Sequence, residues 1–512
     1  MKWISKVKEE ETVGNYLFSF NEYMNFFEQN PIAETRTTAS YLIDMMNYFG
    51  KNDRKRGFKL FSLDLPDSPP IYGQYKAQEF FYQNLINFTE EGFNNRFILL
   101  VGPNGSSKTS FIKKIMSGAE RYSQLAPGSL FTFSCIFPLE NYPKGALGLT
   151  ENKPKKNDIF SYAGLEDKEI AAILQSELKD HPLLLIPKAS RQTLIEELLK
   201  EKPEQLKQVK KTYLYQGDLS KRNRMIYDAL LKNYQGDHFE VLKHIRVERF
   251  FIDRKQSHSA VTIEPQMHVD AQLQQITMDK RLASLPPSLQ SLNLFNLSGE
   301  NIYANRGILE FSDLLKRPIE TFKYLLSTIE SKSINLRGIL TDLDILYIGT
   351  SNELHLNAFK QHPDFKSFKG RFNFMRVPYL LDYSEESKIY KEQIESLSSN
   401  THFEPNALTA LAMWSVMTRF RAPAQENYSD EKLGSLVELF SPLDKALFIA
   451  KRTLPKNISG EDKQILLSQY QTIVSEYDND ATYEGMFGIS PREIKQIIYE
   501  LSVEHKNITF VE

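Results

Sequence analysis

Between Asn95 and Tyr122 the chain passes from five consecutive apolar residues into a glycine-bearing turn, a Lys-Thr pair and an amphipathic segment. Nothing else in the sequence narrows the fold as far. The run Phe97 to Val101 is apolar at every position, which suits a strand buried on both faces of a parallel sheet rather than one with a wet face. After Lys108-Thr109, apolar residues fall at Phe111, Ile112, Ile115, Met116 and Ala119, the spacing of one helical face. The stretch Gly102-Pro103-Asn104-Gly105-Ser106-Ser107-Lys108-Thr109-Ser110 therefore joins strand to helix, where free amides and the positive end of the helix face an anion.

The residue types fit that role. Gly102 and Gly105 let the backbone curl around phosphate, Lys108 reaches the outer phosphates, and the Thr109 hydroxyl is placed to ligate Mg2+, so Mg-ATP is the expected ligand. One position departs from the pattern. Ser107 stands where a glycine usually precedes the lysine, and its β-carbon requires a backbone conformation tolerable without glycine.

At 512 residues the chain exceeds one compact core, and roughly two to four domains are expected. A formal net charge of -2 gives no reason to expect nucleic acid or a membrane as partner. No apolar run approaches the roughly 20 residues that span a bilayer, and Met1 to Lys6 lacks a signal-peptide core, so a cytoplasmic location is expected. The single cysteine, Cys135, lies in the apolar segment Leu130 to Phe137, which predicts a buried thiol and excludes an intrachain disulfide.

Residues 15 to 50 carry helical spacing and read as a helical lead-in, and another helix is predicted from about Gln74 to Phe88. Ser129 to Phe137 reads as a second buried strand, Asn141 to Asn157 as a loop, and residues 166 to 245 as mostly helical. The lysines 207, 210 and 211 within that stretch read as a solvated helix face. Residues 246 to 265 alternate charged and apolar positions, a hairpin candidate. The α/β rhythm returns with predicted strands at Gly307 to Phe311, Ile345 to Gly349 and Phe374 to Pro378, and a helix over Leu314 to Ser327. Beyond Ser384 the pattern is helical.

Hydrolysis of a bound nucleotide needs carboxylates for metal and water, and a cation for the charge developing in transfer. The segment Ala304 to Leu315 resembles the Walker B strand of AAA+ ATPases related to magnesium chelatase, which puts Asp313 where the water-polarising acid belongs. Ser312 occupies the usual magnesium-facing aspartate position. Glu310 lies two residues earlier, and strand alternation puts the two on one face, so Glu310 is the candidate to supply the missing charge to magnesium. The alternative is a strand-edge acid followed by a helix N-terminal acid. Ile348 to Glu353 resembles a sensor 1 segment with Asn352 toward the γ-phosphate. Phe368 to Phe372 resembles an arginine-finger segment carrying Arg371, and Gly488 to Glu493 resembles a sensor 2 motif carrying Arg492.

Taken with Glu120 to Ser123, His181 to Pro187, His244 to Arg249 and Glu484 to Met486, these motifs resemble the bacterial PrkA family of serine protein kinases built on an AAA+ module. The resemblance implies an α/β fold: an AAA+ P-loop core over residues 57–380, a large, mostly helical insertion at about 140–300, and a C-terminal helical lid over 381–512, preceded by a lead-in over 1–56. The 202 positions from Lys108 to Glu310 (310 minus 108) require an insertion, since a βαβ unit takes only about 30 or more residues. It also implies a homo-oligomeric ring and a protein substrate. No His-Arg-Asp loop, Asp-Phe-Gly or kinase-type glycine loop occurs, and no Ser-Lys peptidase domain is recognisable. Kinase, ATP-driven protein remodeller and nucleotide-gated scaffold thus remain three open readings of one nucleotide-binding core.

Overall fold

The structure is a computed structural model and describes residues 17–52, 57–139, 161–265, 272–275, 295–336, 338–396, 402–404, 406–456, 458–505 and 507–509. The loop expected at Asn141 to Asn157 and the start at Met1 lie outside them.

The described chain opens with a short strand, β1 (Leu17–Ser19), and helix α1 (Phe20–Gln29). A capping box starts α1: the Ser19 hydroxyl accepts from the Glu22 amide and the Glu22 carboxylate accepts from Ser19. Helix α2 (Thr38–Phe49) follows, then α3 (Tyr75–Glu91), which ends where Gly92 takes the left-handed conformation at φ 83°. Next come β2 (Phe97–Val101) and α4 (Lys108–Gln124), the strand and helix predicted on either side of the loop.

The intervening part of the chain holds β3 (Leu130–Pro138), β4 (Ile170–Gln175), α5 (Lys188–Leu198), α6 (Lys221–Asn233) and β5 (Ile245–Phe250). Beyond it run β6 (Ala260–Ile263), β7 (Gly307–Phe311), β8 (Ile345–Ser351), α7 (Glu353–Lys360) and β9 (Phe372–Arg376). The last part contains α8 (Tyr383–Ser396), α9 (Ala407–Met417), α10 (Pro442–Lys451) and α11 (Pro491–Glu504).

Five strands form one all-parallel sheet in the order β9-β2-β8-β7-β6. Every residue of β2, β7 and β8 is buried, because alternate side chains enter two separate cores. Ile98, Leu100, Ile308 and Ile348 pack with Phe111, Ile112 and Ile115 of α4 on one face. Phe97, Leu99, Leu309 and Phe311 pack with Phe322, Phe359 and Phe368 on the other. A continuous apolar run is what a two-sided strand needs, and each large side chain so buried contributes about 1.5–3 kcal/mol.

The stretch predicted as a hairpin at 246–265 divides between two sheets. Strand β5 lies antiparallel between β1 and β3 in a four-stranded sheet ordered β1-β5-β3-β4, whereas β6 joins the parallel core beside β7. Alternation marks a half-buried strand but does not name its partner. Here Ile245 and Val247 are drawn into a core with Phe131, Phe133 and the α1 residues Phe20, Tyr23 and Phe27. The insertion thus combines its helices with an antiparallel sheet, and the N-terminal strand and helix complete it. The helix predicted over Leu314 to Ser327 is broken into short turns and helices at Leu314–Lys316, Ile319–Phe322 and Leu325–Ser331, because Pro318 cannot continue the first of them.

Cys135 is buried, and burial pushes its thiol up to about 12. Lys210 pairs with Glu196 at 2.7 Å and Lys211 donates to the Glu90 carbonyl at 2.5 Å. No helix among the described residues is long and apolar enough to cross a membrane.

The C-terminal helices close on a fourth core formed by Tyr383, Tyr390, Val416, Ala446 and Ile494. At its centre the fully buried Arg419 pairs with Glu386 at 2.6 Å and donates to the carbonyls of Leu380 and Ile489. Those carbonyls belong to the segment leaving the sheet and to the loop before α11, so one guanidinium ties the C-terminal helices to both.

Candidate nucleotide-binding site

The glycine-bearing loop lies at the carboxyl end of β2, the edge of a parallel sheet where α/β folds place ligands. Gly102 is required by close approach, since a β-carbon there would stand 2.1 Å from the Val377 carbonyl oxygen. Gly105 has φ 85°, outside the range side chains favour. The Tyr379 hydroxyl donates to the Asn104 carbonyl at 2.6 Å and fixes the outer side of the loop.

Ser107 retains the backbone of the glycine it replaces, with φ 72° and ψ 15° in the left-handed region. The sequence expectation of an accommodated, side-chain-tolerant conformation is therefore corrected. Closing the loop onto the first turn of α4 imposes the left-handed twist whatever the residue, at a cost of roughly 1–2 kcal/mol for a side chain. Ser107→Gly is expected to raise stability by up to about 1 kcal/mol, part of the relief being offset by the freer unfolded chain. A denaturant midpoint unchanged or lowered relative to the parent would show that no strain is stored there.

Lys108 begins α4 and its Nζ donates to the carbonyls of Gly102 at 2.9 Å and Pro103 at 2.7 Å. Burial lowers its pKa to about 8, opposed by the nearby carboxylates of Asp313 and Glu353. A cavity of about 480 Å³ opens beside it, lined by Asn104, Gly105 and Ser107 to Ser110 of the loop, by Asp313, Lys316 and Thr350 of the core, and by Ile389, Pro491, Arg492 and Lys495 of the lid. Four cationic side chains face one carboxylate, and they surround a helix N-terminus. Such a wall favours a polyanion.

Asp313 reaches this cavity from the end of β7 in a left-handed conformation, φ 45°. Its amide donates to the Thr350 hydroxyl at 2.9 Å, and its carboxylate pairs with Lys316 at 2.5 Å. Arg492 arrives from the lid. A capping box between Ser490 and Glu493, with Pro491 in the first turn, starts α11, and this end rests on the loop so closely that a β-carbon on Gly105 would lie 3.7 Å from that of Arg492.

Four residues singled out in the sequence stand elsewhere. Glu310 is buried within the sheet, its Oε2 accepting from the Thr262 hydroxyl at 2.8 Å and its Oε1 lacking a partner among the described residues. Burial pushes its carboxyl up to about 7. Ser312 follows the last residue of β7, Phe311. Asn352 caps α7, accepting from the His355 amide at 2.9 Å, and Thr350, two residues earlier on β8, lines the cavity in its place. Arg371 is outside the cavity: it pairs with Glu330 at 2.5 Å and donates to the Ser367 carbonyl.

Sequence reasoning therefore missed Thr350, Lys316, Lys495, Ile389 and the loop contact of Tyr379. Thr350 lies within the segment Ile348 to Glu353, and the helix start at Glu353 is the signal that Asn352 is used as a cap. Ile389 and Lys495 carry no local signal, because only the closure of the lid brings them to the loop.

Comparisons with known proteins place the chain in a family. A family model described as the PrkA AAA domain matches residues 159–427, beginning downstream of the phosphate loop. Over 503 residues the chain is 22% identical to the "ATP-dependent protease PrkA" of Bacillus subtilis, covering 96% of this chain and 65% of that protein. Over 133 residues it is 31% identical to the "Serine/threonine kinase YeaG" of Escherichia coli K12, covering 25% of this chain and 20% of the relative. The chain thus spans 65% of the length of the Bacillus relative. A solved structure of NtrX from Brucella abortus aligns over 35% of this chain and 43% of its own, at 14% identity and a TM-score of 0.18, too slight a likeness to carry an argument.

Proposed function

This chain belongs to the PrkA AAA domain family, and from that premise we propose that it couples turnover of Mg-ATP at the loop Gly102 to Ser110 to action on a protein substrate. It is an ATP-binding AAA+ protein. We further propose that residues 57–380 act as the nucleotide-binding core and 381–512 as the lid. The observation that carries the reading is the cavity at the start of α4, where Lys108, Lys316, Arg492 and Lys495 face a single carboxylate, Asp313.

The roles follow from position. Lys108 would leave the two loop carbonyls for the outer phosphate oxygens, exchanging neutral acceptors for charged ones. Arg492 would bind the same phosphates from the lid, so that nucleotide draws lid and core together. Asp313, once released from Lys316, would accept the proton of the attacking oxygen, whether from water or from a serine hydroxyl. Thr350 holds the Asp313 backbone through its hydroxyl.

For Mg2+ the candidate in the cavity wall is the Thr109 hydroxyl; Glu310, which lies outside that wall, would act on the ion through a bound water from its unpartnered Oε1. That donor set fits magnesium, which takes one or two protein ligands with phosphate oxygens and water completing the shell. When bound, the ion would neutralise charge on the transferring phosphoryl group. The cytoplasm is the proposed location.

Glu310 supplies a test that separates structure from function. A buried carboxyl whose pKa rises from 4.5 to about 7 binds more protons folded than unfolded between those values, so its contribution to stability falls as pH rises through that window. Glu310→Gln is therefore expected to stabilise the protein at pH 8 by up to about 3 kcal/mol, with the gain vanishing below pH 4.5. The same variant should weaken Mg-dependent nucleotide binding, whereas Asp313→Asn should retain binding and slow turnover. Full activity of Glu310→Gln would return the residue to a purely structural role.

A second reading, remodelling of protein partners without phosphotransfer, draws support from the lack of His-Arg-Asp and Asp-Phe-Gly motifs in the sequence. Incubation with γ-labelled ATP and a cell lysate distinguishes the two. Label on serine supports the kinase, and substrate-stimulated release to water supports the remodeller. Neither label transfer nor release, with tight ATP binding, would leave only a nucleotide-gated scaffold.

A further inference from the structure

At the amino-terminal edge of the parallel sheet, opposite the nucleotide cavity, lies a second cavity of about 340 Å³. Its walls come from four parts of the chain: Thr35 to Thr37 before α2, Gly92 and Phe93 after α3, parts of the insertion around His181 and Ser220, and the segments that lead into β7 and β8. Cavities of this size at the meeting of structural units are common ligand sites.

The wall holds polar groups that the fold leaves uncommitted. His181 is buried, and its Nδ1 accepts from the Leu183 amide at 3.2 Å. Burial lowers its pKa well below the usual value, so the ring is neutral and its proton sits on Nε2. That nitrogen makes no hydrogen bond of good geometry among the described residues; the Glu34 backbone lies beside it and the Glu34 carboxylate 3.8 Å away. Lys221 and Lys332 also line the cavity, and among the described residues the side chain of neither makes a hydrogen bond or a carboxylate pair. The Lys332 ammonium instead sits over the Phe93 ring at 3.6 Å.

The start of α6 lies in the same wall, and its cap residue Ser220 makes no side-chain bond to the first-turn amides. Of the carboxylates present, Asp180 accepts from the Ser220 amide and the Asn223 side chain, and Asp344 accepts from the Thr38 amide. The charge of these two is spent within the protein, and the third carboxylate of the wall, Asp342, faces Lys332, so the surplus left over is Lys221, the His181 Nε2 donor and the first amides of α6.

We propose that this cavity is an anion site separate from the nucleotide site, taking a phosphorylated small molecule through His181 Nε2, Lys221, Lys332 and the N-terminus of α6. The ligand meets the structure where it can be felt. Asn305 in the same wall donates to the Leu178 carbonyl and accepts from the Asp344 amide, linking the insertion to the turns before β7, which leads to Asp313, and β8, which carries Thr350. An effect on turnover rests on the function proposed above; binding does not.

The test is calorimetric titration of inorganic pyrophosphate into the Lys108→Ala protein, in which the loop site is disabled. One saturable site is expected to remain, and Lys221→Ala with Lys332→Ala added should weaken it at least about tenfold. His181→Phe, which keeps the packing and removes the donor, should weaken it as well. Thermal melts establish that each variant is folded, and Lys221→Gln alone, at an exposed helix start, substitutes if the combined variant is not. No saturable binding in the Lys108→Ala protein, or binding indifferent to the cavity substitutions, overturns the proposal.

Discussion

Lys108→Ala is expected to reduce ATP affinity at least about hundredfold, a loss of roughly 2.7 kcal/mol, while leaving the fold intact. In the folded chain the ammonium is buried against two carbonyls, and burial lowers its pKa from 10.5 to about 8. The unfolded chain therefore binds more protons between those values, and stability rises with pH across them. At neutral pH the charged lysine carries its full desolvation penalty, so the alanine variant should melt no lower than the parent. Calorimetry for affinity and a thermal melt for the fold check the two halves separately. Undiminished ATP binding would show that the loop does not carry the phosphates. Lost binding with a collapsed melting transition would show that Lys108 is structural.

The second large effect is expected at Arg371, which makes no contribution to the nucleotide cavity of its own chain. It sits in an exposed pair with Glu330, whose side chain is 68% exposed, and such a pair contributes about 0–1 kcal/mol to stability. Loss of that pair cannot account for a large catalytic defect. An arginine presented to the nucleotide of a neighbouring subunit accelerates transfer by roughly 10³ to 10⁵, or about 4 to 7 kcal/mol of barrier. Arg371→Ala should therefore bind ATP nearly as the parent does and hydrolyse it far more slowly. A Lys108→Ala subunit, inactive itself, should restore turnover when mixed with Arg371→Ala subunits, because it lends the missing guanidinium to an intact loop. Wild-type protein that stays monomeric with ATP at every concentration, and whose rate is linear in protein, would exclude a shared site and a ring.

The phosphate loop was legible because its signals are local. An apolar run, two glycines at fixed spacing, Lys-Thr and a helical stripe all fall within 28 residues, Asn95 to Tyr122, and each dictates backbone geometry without help from distant parts of the chain. The strands β7 and β8 were legible for the same reason, since burial on both faces demands a continuous apolar run. Asp313 and Arg492 were found through motif order, and both do line the cavity.

What stayed hidden depends on partners far apart in sequence. The alternation at 246–265 states that one face is buried, but only the rival cores containing Tyr23 and Ile308 decide that β5 and β6 enter different sheets. The polar end of β8 offers both Thr350 and Asn352, and the start of α7 settles which is consumed as a cap. Glu310 reads as a catalytic acid in a strand, yet its desolvation is set by the elements packed around it and not by its neighbours in the chain. The sequence by itself determined the glycine-bearing turn between strand and helix, the buried parallel strands and the helical character of the C-terminal part, because those follow from residue spacing and backbone sterics. The tertiary structure alone decided the pairing of the second sheet, the closure of Ile389, Arg492 and Lys495 over the loop, and the isolation of Arg371 from its own site, because burial and charge are properties of the packed neighbourhood.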